Sequence, residues 1–234
     1  MQQTSSFIPS FVRREGRFTK AQRAALEQHW PHYGVDLSPE PENKAEYKPE
    51  QLDLDGLFVN KQPIVLDVGF GNGESLLALA QQYPHLNYLG VEVYRPGIGN
   101  VLRNAFEAKI ENIRVINADV VELLQHHIAA NSVTAALIWF ADPWPKKRHH
   151  KRRLIQVAFL ELLAEKLTHE GELNIATDWQ PYAEHIEETV KRSGLFQKIP
   201  ASGFIQQRPQ TKFERRGEKL GHQVSDQVYK KKAT

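Results

Sequence analysis

The sequence predicts a doubly wound α/β domain with a mostly parallel sheet, and three observations carry that prediction. From Pro63 onward, short β-branched apolar runs alternate with segments of helical periodicity, the signature of successive βαβ units. A glycine-rich loop, Gly69-Phe70-Gly71-Asn72-Gly73, follows the first run at once. Asp67, Glu92, Asp119, Asp142 and Asp178 all fall at or near the carboxyl ends of expected strands, where ligands collect in such sheets.

Residues 1–60 show little periodicity. Arg13, Arg14, Arg17, Lys20 and Arg23 make a basic arm, and Thr19 is placed to cap a short helix through Leu26 and Trp30. Pro39, Pro41 and Pro49 among acids mark 34–50 as a loop or linker. The expected division is a basic, partly flexible arm and linker over 1–59 and a folded domain over 60–234. Within the domain, Ile64 to Val68 reads as the first strand and Glu74 to Gln82 as the first helix, with Pro84 beyond its end. Tyr88 to Val93 is the second strand. Ile98, Val101, Leu102, Ala105 and Phe106 then recur at helical spacing. A third strand over Ile113 to Asn117, a helix near Val120 to Ile128 and a fourth strand over Val133 to Phe140 follow. A long helix is expected from Arg152 to Leu167, a fifth strand over Glu172 to Ala176 and a helix near Tyr182 to Arg192. Late strands are expected at Phe196 to Ile199 and Gln223 to Tyr229.

Composition narrows the function. With 41% hydrophobic and 25% charged residues, the chain has ordinary globular proportions. Its longest apolar run, Val133 to Ala141 with one Thr, is far too short to span a bilayer. A soluble, cytoplasmic protein with no membrane segment is expected. The absence of cysteine excludes disulfides, thiolate metal sites and any covalent thiolate mechanism, including pyrimidine-C5 methyl transfer by that route. The net charge of +2 hides a local patch: residues 146–153 carry six Lys/Arg and no acid, while 36–55 run acidic. Such a patch steers an anionic partner more than the total charge does.

Two stretches carry chemistry. The glycine loop has the spacing Gly-x-Gly-x-Gly, and Glu74 opens the helix behind it. A dinucleotide needs that helix N-terminus for its pyrophosphate, and Glu74 would repel it. The loop therefore suits a cationic or uncharged ligand better than NAD, and S-adenosylmethionine, a sulfonium with an ammonium group and no phosphate, fits. Glu92 is placed to accept both ribose hydroxyls of an adenosine, and Asp119 to accept from the adenine amine. Each acid taken alone also fits a cap or turn. The second stretch runs from Ala141 to Arg153, Ala-Asp-Pro-Trp-Pro-Lys-Lys-Arg-His-His-Lys-Arg-Arg. The prolines bias Asp142 and Trp144 away from helix. An aromatic followed by Lys146, Lys147, Arg148, Lys151, Arg152 and Arg153 offers a flat base a ring and a phosphate backbone its counter-charge. Trp144 is placed either to stack a base or to pack the turn. His149 and His150 read as polar RNA-side contacts. Adjacent His126 and His127 share no helix face, and no metal is expected.

Taken together, Asp-Val-Gly-Phe-Gly-Asn-Gly, Gly90-Val91-Glu92, Asn117-Ala118-Asp119, the run from Phe140 to His149, Thr177-Asp178 and Thr211-Lys212-Phe213-Glu214 resemble the bacterial tRNA (guanine-N(7)-)-methyltransferase family of the TrmB type over about residues 60–230. The glycine motif is common to all class I methyltransferases; the Asp-Pro-Trp-Pro-Lys-Lys-Arg-His and Thr-Lys-Phe-Glu motifs are the diagnostic ones. The resemblance implies a Rossmann-like class I fold, a seven-stranded mostly parallel sheet with helices on both faces. It implies methyl transfer from S-adenosyl-L-methionine to N7 of a guanosine in the tRNA variable loop, with Asp142 as catalytic carboxylate. Asp67, Gly69, Gly71, Gly73, Glu92, Asp119 and Asp142 would form the cofactor site. Lys146, Asp178, Thr211, Lys212, Phe213 and Glu214 would contact the substrate, and Arg148, His149, His150, Lys151, Arg152 and Arg153 the RNA. The expected partner is tRNA, with no obligate protein partner and a monomer favoured over a homodimer. Ala141 stands where the family usually has proline, and Asp67 where glutamate is common. A non-catalytic RNA-binding protein on the same fold would show damaged glycines or acids, and none is evident. An exocyclic-amine methyltransferase would carry Asn/Asp-Pro-Pro-aromatic, which Asp-Pro-Trp-Pro breaks.

Overall fold

A computed structural model describes residues 10–11, 18–37, 49–200, 205, 208–210, 214 and 223–233. Helix α1 (Lys20–Tyr33) comes first. It is followed by β1 (Ile64–Val68), α2 (Glu74–Gln82), β2 (Asn87–Val91), α3 (Arg95–Glu107), β3 (Ile113–Ile116), α4 (Val120–His126) and β4 (Val133–Trp139). A 3-10 turn (Lys147–Arg152) leads into α5 (Val157–Lys166), β5 (Leu167–Thr177), α6 (Gln180–Ser193), β6 (Phe196–Ile199) and β7 (Ser225–Lys231). The strands make one seven-stranded sheet in the order β3-β2-β1-β4-β5-β7-β6. β1 to β5 pair in parallel, and β7 runs antiparallel to β5 and β6. The order reverses direction at β1, so the crevice between the ends of β1 and β4 is the topological switch point where α/β sheets bind ligands.

The central strands read as continuous apolar runs because helices cover both faces of the sheet. Along β1, Ile64, Leu66 and Val68 enter the core layer formed with α4, α5 and α6, while Val65 enters the layer formed with α2 and α3. That alternation is the period-two geometry of a strand. Helix α1 joins the second layer through Tyr33, which is 1% exposed. A capping box fixes its start: the Thr19 side chain accepts from the Gln22 amide, and the Gln22 side chain accepts from the Thr19 amide. Its first turn lies directly on α3, where a Cβ at Gly99 would stand 2.5 Å from the Gln22 carbonyl oxygen. Beyond α1 the Val35 amide donates to the Val115 carbonyl and fringes the edge of β3.

Two elements differ from the sequence expectation. The long helix expected from Arg152 to Leu167 is broken: Lys147–Arg152 wind as a 3-10 turn, Arg153 and Gln156 are extended, and α5 starts at Val157. The break follows from buried anchors, because Leu154 and Ile155 sink into the core. Strand β5 is longer than expected and begins at Leu167. Its pairing with β4 shifts register between Val133 and Ala135, next to the polar Thr168–Gly171 stretch that hid the strand. The other expected elements occur with ends moved by a few residues.

Gly97 in the first turn of α3 lets that helix press on the glycine loop, since an added Cβ would lie 1.9 Å from the Gly71 carbonyl oxygen. Backbone cannot yield there as a flexible side chain does. Gly97→Ala is expected to cost roughly 1–3 kcal/mol, read from the urea midpoint. An unchanged midpoint would mean that the loop moves aside freely.

Candidate active site

Gly69, Gly71 and Gly73 all have left-handed backbones, with φ of 71°, 59° and 76°. Only glycine adopts three such angles in one loop without strain. Gly73 also caps α2 where a Cβ would meet Val101 Cγ2 at 1.9 Å. Glu92, just past β2, holds this loop in place. Its Oε2 accepts from the Gly71 amide at 2.8 Å, and Oε1 accepts from the Val93 and Tyr94 amides at 2.6 and 2.8 Å. A carboxylate has about four acceptor sites, so acceptor capacity remains beside these three amides for a ligand hydroxyl. Burial pushes the Glu92 carboxyl upward, and the three amides pull against it.

Asp67 is the contrasting acid. It sits inside β1, 2% exposed, and its Oδ2 has no hydrogen-bond partner. Burial, and secondly the charge of Glu92, push its pKa up to about 7. A buried carboxyl without donors is costly when ionised; a cationic ligand would supply what the protein omits.

Glu92, Gly71 and Asp142 line one cleft of about 1130 Å³. Tyr94 and Arg95 from the start of α3, Asn117 and Ala118 past β3, and Pro143 to Pro145 complete much of its wall. The Asn117 side chain donates to the Glu92 carbonyl, tying the ends of β3 and β2 together. Asp119 serves α4 as its N-cap, Oδ1 accepting from the Val121 amide at 2.8 Å, which leaves its other oxygen for any adenine contact. Sequence reading missed one whole wall: Phe18, Arg23, Leu26 and Glu27 from α1 line the same cleft. The capping box and the spacing of Arg23, Leu26 and Glu27 signal a helix; nothing in them signals where it docks.

The Asp142 turn is strained and braced. Phe140 and Trp144 have φ of 56° and 44°, an uncommon region for residues with a bulky side chain. The Trp144 indole N–H donates to the Ser10 carbonyl at 2.9 Å. Arg152 lies over the Trp144 ring at 4.3 Å, and His149 meets it edge-on at 5.6 Å. The Arg152 guanidinium also donates to the Phe11 carbonyl. Partial desolvation, then the charges of Arg148, Lys146 and Arg152, hold His149 below its ordinary pKa. Lys146, Arg148 and Lys151 are exposed, and His150 is half-buried.

Arg153, expected on the RNA, is a correction. It is 4% exposed, its Nε donates to the Pro143 carbonyl at 2.9 Å, and its guanidinium lies 5.1 Å from the centroid of the Tyr182 ring. A cation so placed fastens the turn to α6 and presents no charge to a phosphate. Asp178 stands half-buried just past β5. Thr211, Lys212 and Phe213 lie outside the described residues. Glu214 is described, and both its oxygens accept from Arg208, whose Nε and Nη2 also donate to Asp226. Arg208 in turn lies over the Phe140 ring at 5.3 Å. Sequence reading missed this network.

Comparison with known proteins gives the following. A family model described as "Putative methyltransferase" matches residues 61–227. The tRNA (guanine-N(7)-)-methyltransferase of Halorhodospira halophila is 50% identical over 225 residues, which cover 94% of this chain and 94% of that protein. The enzyme of the same name from Nitrosococcus oceani is 47% identical over 224 residues, covering 96% and 91%. Among solved structures, the 16S rRNA methyltransferase KamB aligns with a TM-score of 0.52 at 14% identity, covering 94% of this chain and 97% of that one. An rRNA methylase from Streptococcus thermophilus aligns at 0.50 with 16% identity, covering 74% and 88%. At such identities the structural likeness shows the fold.

Because the folded pKa of Asp67 is raised to about 7 from 3.8, its contribution to stability is fully present below pH 4. It is lost as pH rises through 7, at about 1.4 kcal/mol per unit across that window. Asp67→Asn is expected to flatten the decline, followed by urea midpoints through the range. An identical pH slope in both proteins would show that Asp67 ionises normally.

Proposed function

The chain belongs to the tRNA (guanine-N(7)-)-methyltransferase family, and from that premise we propose that it transfers a methyl group from S-adenosyl-L-methionine to N7 of a guanosine in the variable loop of tRNA. The observation that carries the reading is one of placement: Gly71 of the glycine loop, Glu92 and the Asp142-Pro143-Trp144-Pro145 turn line a single cleft. Had the turn stood at the far edge of the sheet, the two motifs would have nothing to do with each other.

The residues present fit the cofactor. The buried carboxyl of Asp67, with Oδ2 unpartnered, suits an ammonium group. The loop of three left-handed glycines brings backbone close to a ligand. Gly71, Glu92, Asn117, Ala118 and Asp142 would hold it along the cleft wall, with Asp119 next to Ala118 in sequence. When bound, S-adenosyl-L-methionine supplies an electrophilic methyl on a cationic sulfur.

Guanine N7 attacks through a lone pair and needs no deprotonation, so the protein's task is chiefly positioning. Asp142, exposed in the cleft, is assigned to stabilise positive charge as it arrives on the purine. Asp178 or Glu214 would accept from the guanine N1–H and amino edge. Lys146, Arg148 and Lys151 would meet phosphates. The reading places the reaction in the cytoplasm, with the chain acting as a monomer and no second protein required.

Incubation with labelled methyl donor and unmodified tRNA, followed by mapping of the alkali-labile purine, tests the reading directly. Label is expected on one guanosine; label on an adenine or a pyrimidine would contradict it. In single turnover, Asp142→Asn is expected to lower the rate by about 10²–10³-fold and leave the shape of the pH profile unchanged. Loss of an acidic limb in the variant would make Asp142 a general base instead.

A further inference from the structure

Where α1 and the start of α3 line the cleft stands a cluster that methyl transfer as described does not use. Phe18 precedes the N-cap Thr19 of α1, and Arg23 is the fourth residue of that helix. These two positions usually carry apolar side chains that staple a helix start. Here the inner one is an arginine, its guanidinium carbon 5.7 Å from the centroid of the Phe18 ring. Arg95, the first residue of α3, reaches the same ring at 5.8 Å. Cation–π attraction at exposed sites gives about 0.5–1 kcal/mol each, which does little to offset gathering two like charges around one ring. Arg23 and Arg95 are both exposed, and among the described residues neither is ion-paired with a carboxylate, although Glu27 lines the same cleft.

The Asp142 turn repeats the device, with Arg152 over Trp144 at 4.3 Å. Phe18, Arg23, Arg95 and Trp144 all line the one cleft. Its volume of about 1130 Å³ exceeds the roughly 300–1,000 Å³ of sites that hold one small ligand. There is room for a nucleoside cofactor and for part of a strand beside it. Ring-and-guanidinium pairs suit single-stranded nucleic acid, whose bases stack and whose phosphates need counter-charge.

We infer that Phe18, Arg23 and Arg95 form a second RNA-backbone contact that grips the strand where α1 lines the cleft, in addition to the Lys146–Arg152 stretch. This contact rests on the proposed tRNA substrate. It makes α1 a working wall of the site, with Arg23 and Arg95 on phosphates and the Phe18 ring holding both guanidiniums in place.

The test is binding of unmodified tRNA transcript to the full-length protein, by fluorescence anisotropy over a salt series, beside calorimetric titration of S-adenosylmethionine. Arg23→Ala and Arg95→Ala are each expected to lower the log–log salt slope by about 0.7–0.9, and the double variant by about 1.5. Cofactor affinity is expected to stay within two-fold. Arg23→Lys with Arg95→Lys should keep the slope, which shows that the loss is of charge and not of fold. An unchanged slope in the double alanine variant would overturn the contact. So would weakened cofactor binding with tRNA binding intact, which would assign the arginines to the carboxylate of the cofactor. If the wild type methylates tRNA while the variants bind it normally, only this contact is wrong. If the wild type does not bind tRNA, the proposed function fails with it.

Discussion

The Glu92 carboxylate is 7% exposed and accepts from the amides of Gly71, Val93 and Tyr94. Hydrogen bonds to a charged group contribute about 1.5–3 kcal/mol each, and burying an ion costs several kcal/mol. Three such bonds offset part of that cost, and burial still leaves the carboxyl above its ordinary pKa. In return they lock the glycine loop, the end of β2 and the start of α3 into one arrangement. The floor of the cleft depends on that lock, because Gly97 and Gly73 let α3 and α2 pack against the loop only while it keeps its shape. Asp67 lies close enough for the charge of Glu92 to raise its pKa, yet its Oδ2 has no such donor. One acid is held by three backbone amides, and its buried neighbour keeps an unpartnered oxygen.

The Asp142 turn is built on the opposite principle. Left-handed backbone at a bulky residue costs of order 1–3 kcal/mol, and Phe140 and Trp144 bracket Asp142 with two such positions. Contacts from distant parts of the chain hold them. Arg153 bonds the Pro143 carbonyl, Arg208 lies over Phe140, and Ser10 and Arg152 fix Trp144. Two of the cations that sequence assigns to RNA, Arg152 and Arg153, therefore shape the turn. For Trp144, one indole N–H and one ring face are already engaged, so packing the turn is a role it performs whatever else it does.

How much of this was legible follows from what is local. The glycine loop and the sheet alternation are encoded in short runs, such as Ile64 to Gly73, and the sheet forms as read, with Glu92 and Asp142 of the five acids on one cleft. Arg153 could not be separated from Arg152 by sequence, because its burial depends on Pro143 and Tyr182, residues 10 and 29 positions away. The break before α5 was hidden for the same reason: Leu154 and Ile155 fit a helical period and a core anchor equally well. The α1 wall is set by the contact of Gln22 with Gly99, and no periodicity reports a glycine whose purpose is to admit another helix. Glu214 was legible as a motif residue, but its clamp by Arg208 was not. Residue types and spacing reveal which groups do chemistry; long-range contacts decide which way they face.

Hydrogen exchange at the amides of Gly71, Val93 and Tyr94 in Glu92→Gln tests the central claim most directly. Glutamine keeps one acceptor oxygen where glutamate has two, so either the loop amide or the α3 pair must lose its acceptor. Exchange at that side is expected to rise about 10–100-fold, the equivalent of one lost charge-assisted bond. Equal protection of all three amides in both proteins would mean that something other than this carboxylate holds the loop.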